Sequence, residues 1–180
     1  MTVIGSYTPF RMWFSIRFFS SDNSLYRDYI KLAIEQLAAR VSLRTTVDTR
    51  DFVRLSINET LQVDFVNDRV YRHGVSIDHD SGVRLDNLEN IAANKICAVI
   101  GRDEPKDILD LCTLILADEL QAASVMSAAE KKCVLDREVL RARLQSFPVE
   151  LLTQLAVIDK DHTARLQKDY VSIIGTLFQT

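Results

Sequence analysis

Cysteine is scarce in the 180-residue sequence, and its three cysteines lie far apart, each in an apolar segment. Their odd number and wide spacing exclude a disulfide framework and the common zinc motifs. The pattern predicts free, buried thiols in a reducing compartment, and we therefore expect a cytoplasmic protein. The three positions are Cys97, Cys112 and Cys133.

Long hydrophobic runs are also missing. No apolar stretch reaches the about 18–20 residues that a membrane-spanning helix needs. The stretch "MTVIGSYTPFRMWFSIRFF" is apolar, but Arg11 and Arg17 interrupt it. It has no clean apolar segment followed by a cleavage site, so it does not resemble a signal peptide. We expect no membrane as a partner.

A large charge of one sign is absent as well. The formal net charge is -3, which excludes the strongly basic footprint typical of a protein that binds duplex DNA. A local basic groove for RNA stays open, because net charge averages such a groove away. His73 and His79 lie near acidic residues, but no spacing there matches a known metal motif, and a polar loop is favoured.

The first half of the chain has the alternation of β-strands, and the second half has helical periodicity. The pattern predicts a helix over residues 25–40 and strands over 10–20, 43–48, 51–57 and 60–66, the last three forming an antiparallel meander. Residues 67–86 are predicted as a hairpin or loop with one short strand. Helices are predicted over 88–100, 105–120, 127–146 with a break, 149–158 and 160–178.

Strands followed by helices predict an α+β protein with a helical C-terminal half. We predict a sheet-containing core with one helix over residues 1–86. The helical part is predicted over residues 87–180.

Lys95 is placed unusually. On the predicted helix it falls in the middle of the apolar stripe, between Ile91 and Val99. A lysine there must reach solvent, shift its pKa or contact an anion. Asp107 and Asp110 share one face of the next helix, and the short "GRDEP" turn makes contact with Lys95 geometrically feasible. A purely structural ion pair explains this spacing as well as a functional site does.

Asp64 lies in the middle of the strand "LQVDFVND". Leu61, Val63 and Phe65 point to one face of this strand, and Asp64 points to the other. A strand carboxylate facing helix carboxylates is a layout that binds divalent metal through oxygen ligands.

These residues together resemble the nucleotidyltransferase AbiEii-type toxin family of type IV toxin–antitoxin systems. The resemblance runs over about Leu25–Leu116, from the "VDF" strand into "LENIAANKICAVIGRDEPKDILDL". Lys95 matches the helix lysine of the family and Arg102 its arginine. Asp107 and Asp110 complete the pattern.

The resemblance implies a nucleotidyltransferase fold, in which a small mixed or antiparallel sheet is flanked by helices. It also implies a nucleoside triphosphate as substrate and Mg²⁺ as cofactor. It implies catalytic roles for Lys95 and Asp107, and metal binding by Asp64 and Asp110. Arg17, Lys95 and Arg102 are implied to bind the nucleotide. An antitoxin is implied as a partner and RNA as an acceptor.

The chain departs from the family pattern where an Asp-x-Asp pair should bind the metal. The segment is "SIRFFS", so Ser15 and Arg17 occupy the places of the two aspartates. Arginine cannot ligate magnesium, and serine is a poor substitute for a carboxylate. No glycine-rich turn precedes them. We therefore expect an N-terminally truncated or degenerate member of the family.

A missing N-terminal helix would leave one sheet face uncovered. An uncovered apolar face of this kind marks an interface, and we predict a homodimer or an antitoxin bound through the N-terminal aromatic strand. The large apolar residues of that strand are Phe10, Met12, Trp13, Phe14, Phe18 and Phe19.

Three hypotheses follow for the function. The first is an active, Mg²⁺-dependent toxin that moves NMP from NTP to RNA or protein. The second is a catalytically impaired relative that keeps a binding or regulatory role, and we prefer it. The third is a structural or oligomeric protein whose charged pairs serve packing alone.

Overall fold

The computed structural model describes residues 2–4, 14–21, 24–80, 82, 84–102, 104–116, 120–155 and 159–179. The chain divides into two compact units. The first comprises Met1–Val70 and Ser76–Asp86, and the second comprises Tyr71–Val75 and Asn87–Thr180. The predicted division at residue 87 did not anticipate that Tyr71–Val75 belongs with the helices.

The first unit contains a mixed sheet. Its strands in the described residues are β1 Thr2–Ile4, β2 Phe14–Ser21, β3 Leu43–Asp48, β4 Phe52–Ile57, β5 Leu61–Asp68, β6 Ile77–Asp78 and β7 Arg84–Leu85. Their order is β3-β4-β5-β2-β1-β7-β6. Strands β3, β4 and β5 form the predicted antiparallel meander, and β2 pairs with β5 in parallel. The α+β class is confirmed.

Helix α1, Tyr26–Ala38, packs on one face of this sheet. Tyr26 and Ile30 are buried against Val53, Leu55 and Phe65. The Tyr26 hydroxyl donates a hydrogen bond of 2.8 Å to the Phe65 carbonyl, which fixes the helix against β5. Tyr26, Ile30 and Ala33 stand at positions i, i+4 and i+7, so they share the side of the helix that packs on the sheet.

One residue of the N-terminal aromatic strand, Phe18, packs on the α1 side of the sheet. Phe18 packs against the cluster beneath α1, and its ring stacks on Phe65 with centroids 5.3 Å apart. Phe18 is therefore partly buried on this side of the sheet, and the predicted uncovered face stays a prediction. The positions of Phe10, Met12 and Trp13 lie outside the described residues.

The second unit is helical. Its helices are α2 Leu88–Gly101, α3 Pro105–Leu116, α4 Ala122–Lys132, α5 Arg137–Ser146, α6 Glu150–Gln154 and α7 Lys160–Thr176. Their buried side chains form one core, centred on Ile96, Leu111, Met126, Leu144 and Leu166. Among the described residues, no helix combines the length and hydropathy that crossing a bilayer requires.

The break predicted within residues 127–146 separates two helices, α4 and α5. The break ends at Asp136, which is the N-cap residue of α5. Its carboxylate accepts hydrogen bonds from the backbone N–H groups of Glu138 and Val139. Helix α4 begins earlier than predicted, at Ala122. Its N-cap residue, Gln121, makes no side-chain capping bond, so the sequence carried no start signal there.

Candidate functional site

Three charged residues form a row across the sheet of the first unit. In the parallel pair of β2 and β5, Arg17 lies opposite Asp64. In the antiparallel pair of β4 and β5, Arg54 lies opposite the same residue. Because side chains alternate along a strand, all three point to the face opposite Val63 and Phe65. The predicted orientation of Asp64 is confirmed.

Both oxygens of the Asp64 carboxylate accept hydrogen bonds from guanidinium groups. Arg54 binds with two fork-like contacts, Nε to Oδ1 at 2.8 Å and Nη2 to Oδ2 at 3.0 Å. Arg17 approaches Oδ2 from the other side, with Nη2 at 3.0 Å and Nε at 3.3 Å. Charge-assisted bonds of this kind are the stronger class of hydrogen bond.

The row combines a buried anion with two accessible cations. The Asp64 side chain is 0% exposed, whereas Arg17 is 37% and Arg54 is 33% exposed. The hydrogen bond to Asp64 raises the pKa of Arg54, with burial opposing it. One carboxylate and two guanidinium groups leave a formal excess of one positive charge.

Ser56 adds an unsatisfied hydroxyl to this face of the sheet. It follows Arg54 by two residues on β4, so both side chains project from the same face. The residue is buried, and its Oγ has no hydrogen-bond partner among the described residues. A buried polar atom without a partner is uncommon in folded proteins and requires an explanation.

A second charged cluster lies in the helical unit. The Lys95 ammonium donates a hydrogen bond of 3.0 Å to Asp107 Oδ1 and also binds Asp110 Oδ2. Arg102 Nε donates to Asp107 Oδ2 at 2.8 Å. Lys95 is 17% exposed and Asp107 only 1%. The short turn between α2 and α3 brings these groups together, as the spacing predicted.

The pKa values of the two carboxyls in this cluster are shifted in opposite directions. Burial disfavours ionisation of Asp107, but the hydrogen bond from Arg102 and the charge of Lys95 outweigh it, so the pKa of Asp107 lies below its usual range. Burial dominates at Asp110 and raises its pKa, although Lys95 acts against it. Two cations and two carboxylates make the cluster formally neutral, which is what a structural ion-pair network needs.

A third polar cluster involves His73, which precedes α2. His73 Nε2 lies 2.8 Å from Glu89 Oε2, and the Ser124 hydroxyl donates to the same Glu89 oxygen at 2.8 Å. A catalytic triad needs the two imidazole nitrogens to contact different partners. Here Ser124 and Glu89 both meet Nε2. The cluster therefore ties the His73 segment to α2 and α4.

The structure groups the predicted site residues into two separate sets. Arg17 and Asp64 belong to the first unit, and Lys95, Arg102, Asp107 and Asp110 to the second. The catalytic, nucleotide-binding and metal-binding roles assigned to them stay predictions.

Sequence reasoning missed Arg54. In the structure, Asn58 and Glu59 adopt the positive φ angles of a tight turn between β4 and β5. A hairpin closed at that turn places Arg54 opposite Asp64.

Magnesium does not fit the residues of the sheet row as they are arranged. Mg²⁺ requires several hard oxygen ligands in near-octahedral geometry. Both oxygens of Asp64 are engaged by arginines, and an arginine stands at one of the two positions expected to carry aspartates. Among the described residues, no group of three or more His, Cys, Asp and Glu side chains is arranged to hold a metal ion.

A mixed sheet covered by one helix, followed along the chain by a helical unit, defines an α+β protein. The family model described as nucleotidyl transferase AbiEii toxin of type IV toxin–antitoxin systems matches residues 14–180. The chain belongs to this family, and the predicted kinship is confirmed.

Two solved structures from Helicobacter pylori are similar to this chain. The crystal structure of JHP933 shares 16% identity, with a TM-score of 0.46, over 91% of this chain and 76% of its own. A protein described as a candidate nucleotidyltransferase shares 17% identity, with a TM-score of 0.46, over 91% of this chain and 78% of its own. No curated protein matches the chain.

Proposed function

We propose that this member of the AbiEii family binds a nucleotide through its sheet row and is impaired in nucleotidyl transfer. The observation that carries the proposal is the engagement of Asp64 by Arg17 and Arg54. The same contact accounts for both halves of the proposal, since it occupies a carboxylate and leaves two guanidinium groups partly exposed.

The proposed loss of nucleotidyl transfer follows from the positive charge that the phosphates of a bound nucleotide would meet at the sheet row. In metal-dependent phosphoryl chemistry, carboxylates hold Mg²⁺, and the ion neutralises the developing charge. Here a guanidinium stands beside Asp64 and satisfies it. A guanidinium is always protonated, and it cannot activate a bound oxygen as a metal does. An active enzyme would need both arginines to leave Asp64 before a metal ion could bind there.

The binding role follows from the donors that remain. A guanidinium carries five N–H donors in a planar fork that matches phosphate geometry. Arg17 and Arg54 each contact Asp64 through Nε and Nη2, so that, within the described part of the chain, their Nη1 groups remain for an anion. The buried Ser56 hydroxyl on the same face supplies a further hydrogen-bonding group.

The cluster around Lys95 has a separate part in the proposal. We assign Lys95 and Asp107 the positions of former catalytic residues, and Arg102 that of a former nucleotide contact. Their mutual hydrogen bonds support a present role in holding α2 against α3.

The family supports an antitoxin as partner, because it is described as part of type IV toxin–antitoxin systems. We retain, as finer predictions, a homodimer through the N-terminal aromatic strand, an RNA acceptor and a cytoplasmic location.

Calorimetry with NTPs tests the proposal. We expect binding that persists when Mg²⁺ is replaced by EDTA, and a loss of about tenfold or more in Arg17→Ala, as expected for one charge-assisted contact. The matched control is Arg27→Ala, since Arg27 pairs with Asp48 on the surface of the same unit at 2.7 Å. Both variants are first checked for cooperative thermal unfolding.

Incubation with labelled NTP and Mg²⁺ separates the alternatives. Transfer of label to RNA or protein by the wild-type chain would establish an active enzyme and contradict the proposed impairment. Absence of NTP binding in a folded wild-type chain would contradict the binding role and favour a purely structural ion network.

A further inference from the structure

Two of the three cysteines are in contact in the helical unit. Cys97 lies in α2, and Cys133 directly follows α4. Their Sγ atoms are 2.6 Å apart, although the residues are separated by 36 positions in sequence. A disulfide bond requires about 2.05 Å, so a movement of roughly half an ångström would join them. The third cysteine, Cys112, is fully buried elsewhere in the core.

The pair lies near the end of a helix, where a reagent can approach. Both side chains are only partly buried, and the next residue, Val134, is 97% exposed. Both thiols point to the same carbonyl, that of Ala129, at 3.7 Å from Cys97 and 3.5 Å from Cys133. This shared acceptor keeps the two sulfur atoms on one side of α4.

We infer that Cys97 and Cys133 are a modification site, at which a peroxide converts the two thiols into an intramolecular disulfide. In the first step one thiol reacts with hydrogen peroxide, giving a sulfenic acid and water. In the second step the other thiol attacks that sulfur, forming the S–S bond and releasing a second water. The two thiols lose two protons and two electrons in total, and the peroxide is reduced to two waters.

The bond would link the helix that carries Lys95 to the end of α4. The chain between the two cysteines contains all of α3, including Asp107 and Asp110. Oxidation would therefore close a covalent loop around the segment that supplies the carboxylates to Lys95. The inference is independent of nucleotide binding, because no residue of the sheet row takes part.

The pKa of Cys97 opposes oxidation, so the inference rests on the distance between the two sulfur atoms and on their partial exposure. Burial and the neighbouring Cys133 raise the pKa of Cys97 to about 12. The thiolate is the reactive form of cysteine, so protonation of Cys97 slows the reaction at neutral pH and does not prevent it. The same holds for Cys112, whose pKa burial raises to about 12.

The test uses the full chain, reduced, freed of reductant and treated with hydrogen peroxide. Trypsin should then release residues 96–102 joined to residues 133–137, with the loss of two hydrogen atoms, and reductant should separate them. The melting temperature of the oxidised chain should exceed that of the reduced chain by about 5–10 °C, because the cross-link restricts the unfolded state.

Matched variants separate this pair from general oxidation. Cys97→Ser and Cys133→Ser should each abolish the joined peptide and the rise in melting temperature, whereas Cys112→Ala should retain the joined peptide. Should the folded wild-type chain yield only sulfinic acid, links between molecules or links to Cys112, the inference is overturned. The wild-type measurement decides this even where a variant does not fold.

Discussion

Arg17 lies directly opposite Asp64 on the neighbouring parallel strand and donates two hydrogen bonds to one of its carboxylate oxygens. The family pattern expects an acidic residue at the position of Arg17. Two carboxylates so close together would repel each other unless a cation lay between them. In this chain, the guanidinium supplies the positive charge from the strand itself, which removes the electrostatic need for a metal ion.

The first prediction concerns the stability that Asp64 contributes. Asp64→Asn removes the charge that two guanidinium groups contact, and we expect a loss of about 2–4 kcal/mol in the free energy of unfolding. Urea denaturation followed by circular dichroism measures the loss. The matched control is Asp48→Asn on an exposed pair with Arg27, which should cost less than about 0.5 kcal/mol. Equal losses in the two variants would contradict a special role for the buried carboxylate.

The second prediction concerns Lys95. Lys95→Ala leaves the buried Asp107 with only Arg102 as a charged partner, so we expect a loss of about 2–4 kcal/mol. Lys106→Ala is the control, because Lys106 is largely exposed and lies 3.8 Å from its nearest carboxylate, Glu104. It should change stability by less than about 0.5 kcal/mol. A loss of NTP affinity in Lys95→Ala without a loss of stability would instead assign Lys95 to the binding site.

The contacts of Lys95 could be predicted from sequence because they are local. A lysine within an apolar helical stripe must reach solvent, shift its pKa or contact an anion, and a short turn brings the next helix close enough to supply that anion. The structure places Asp107 and Asp110 there. The boundaries of β3, β4 and β5 were predicted closely for the same reason, since alternation and turns are local signals.

The sheet row could be predicted only in part because it depends on register between distant segments. Arg17 and Asp64 are 47 residues apart, and the parallel pairing of β2 with β5 has no local sequence signal. The resemblance identified both positions, but it gave no reason to expect Arg54. Packing of the three strands determines which charges meet, and that packing is a property of the folded sheet.

The third prediction is a pH dependence with two opposing contributions. The pKa of Asp107 is lowered in the folded state, so its contribution to stability is complete above the unfolded pKa and is lost as pH falls below about 4. The pKa of Asp110 is raised, so its contribution is complete below about pH 4 and is lost as pH rises through the folded value.

Free energies of unfolding measured from pH 3 to 7 test the predicted direction of the pH dependence for each carboxyl. The stability difference between the wild-type chain and Asp107→Asn should shrink as pH falls below about 4. The difference between the wild-type chain and Asp110→Asn should grow as pH falls from neutral towards 4. Parallel curves for the three proteins would show that neither carboxyl has a shifted pKa in the fold.

The fourth prediction concerns the attachment of α1 to the sheet. Tyr26→Phe removes the hydrogen bond to the Phe65 carbonyl and leaves that carbonyl without this donor, so we expect a loss of about 1–2 kcal/mol at neutral pH. Tyr29→Phe is the control on the same helix, because Tyr29 is 54% exposed, and it should be close to neutral.

The stability difference between the wild-type chain and Tyr26→Phe should also depend on pH above about 10. Burial raises the pKa of Tyr26 to about 12, against the opposing charge of Arg27. The contribution of Tyr26 to the free energy of unfolding is complete below the pKa of tyrosine in the unfolded chain, about 10. It is lost as pH rises towards the pKa of Tyr26 in the folded chain. The stability difference between the wild-type chain and Tyr26→Phe should therefore narrow between pH 10 and 12, measured by urea denaturation. A difference that stays constant over this range would mean that the Tyr26 hydroxyl is hydrated, and that apolar packing alone holds α1 on the sheet.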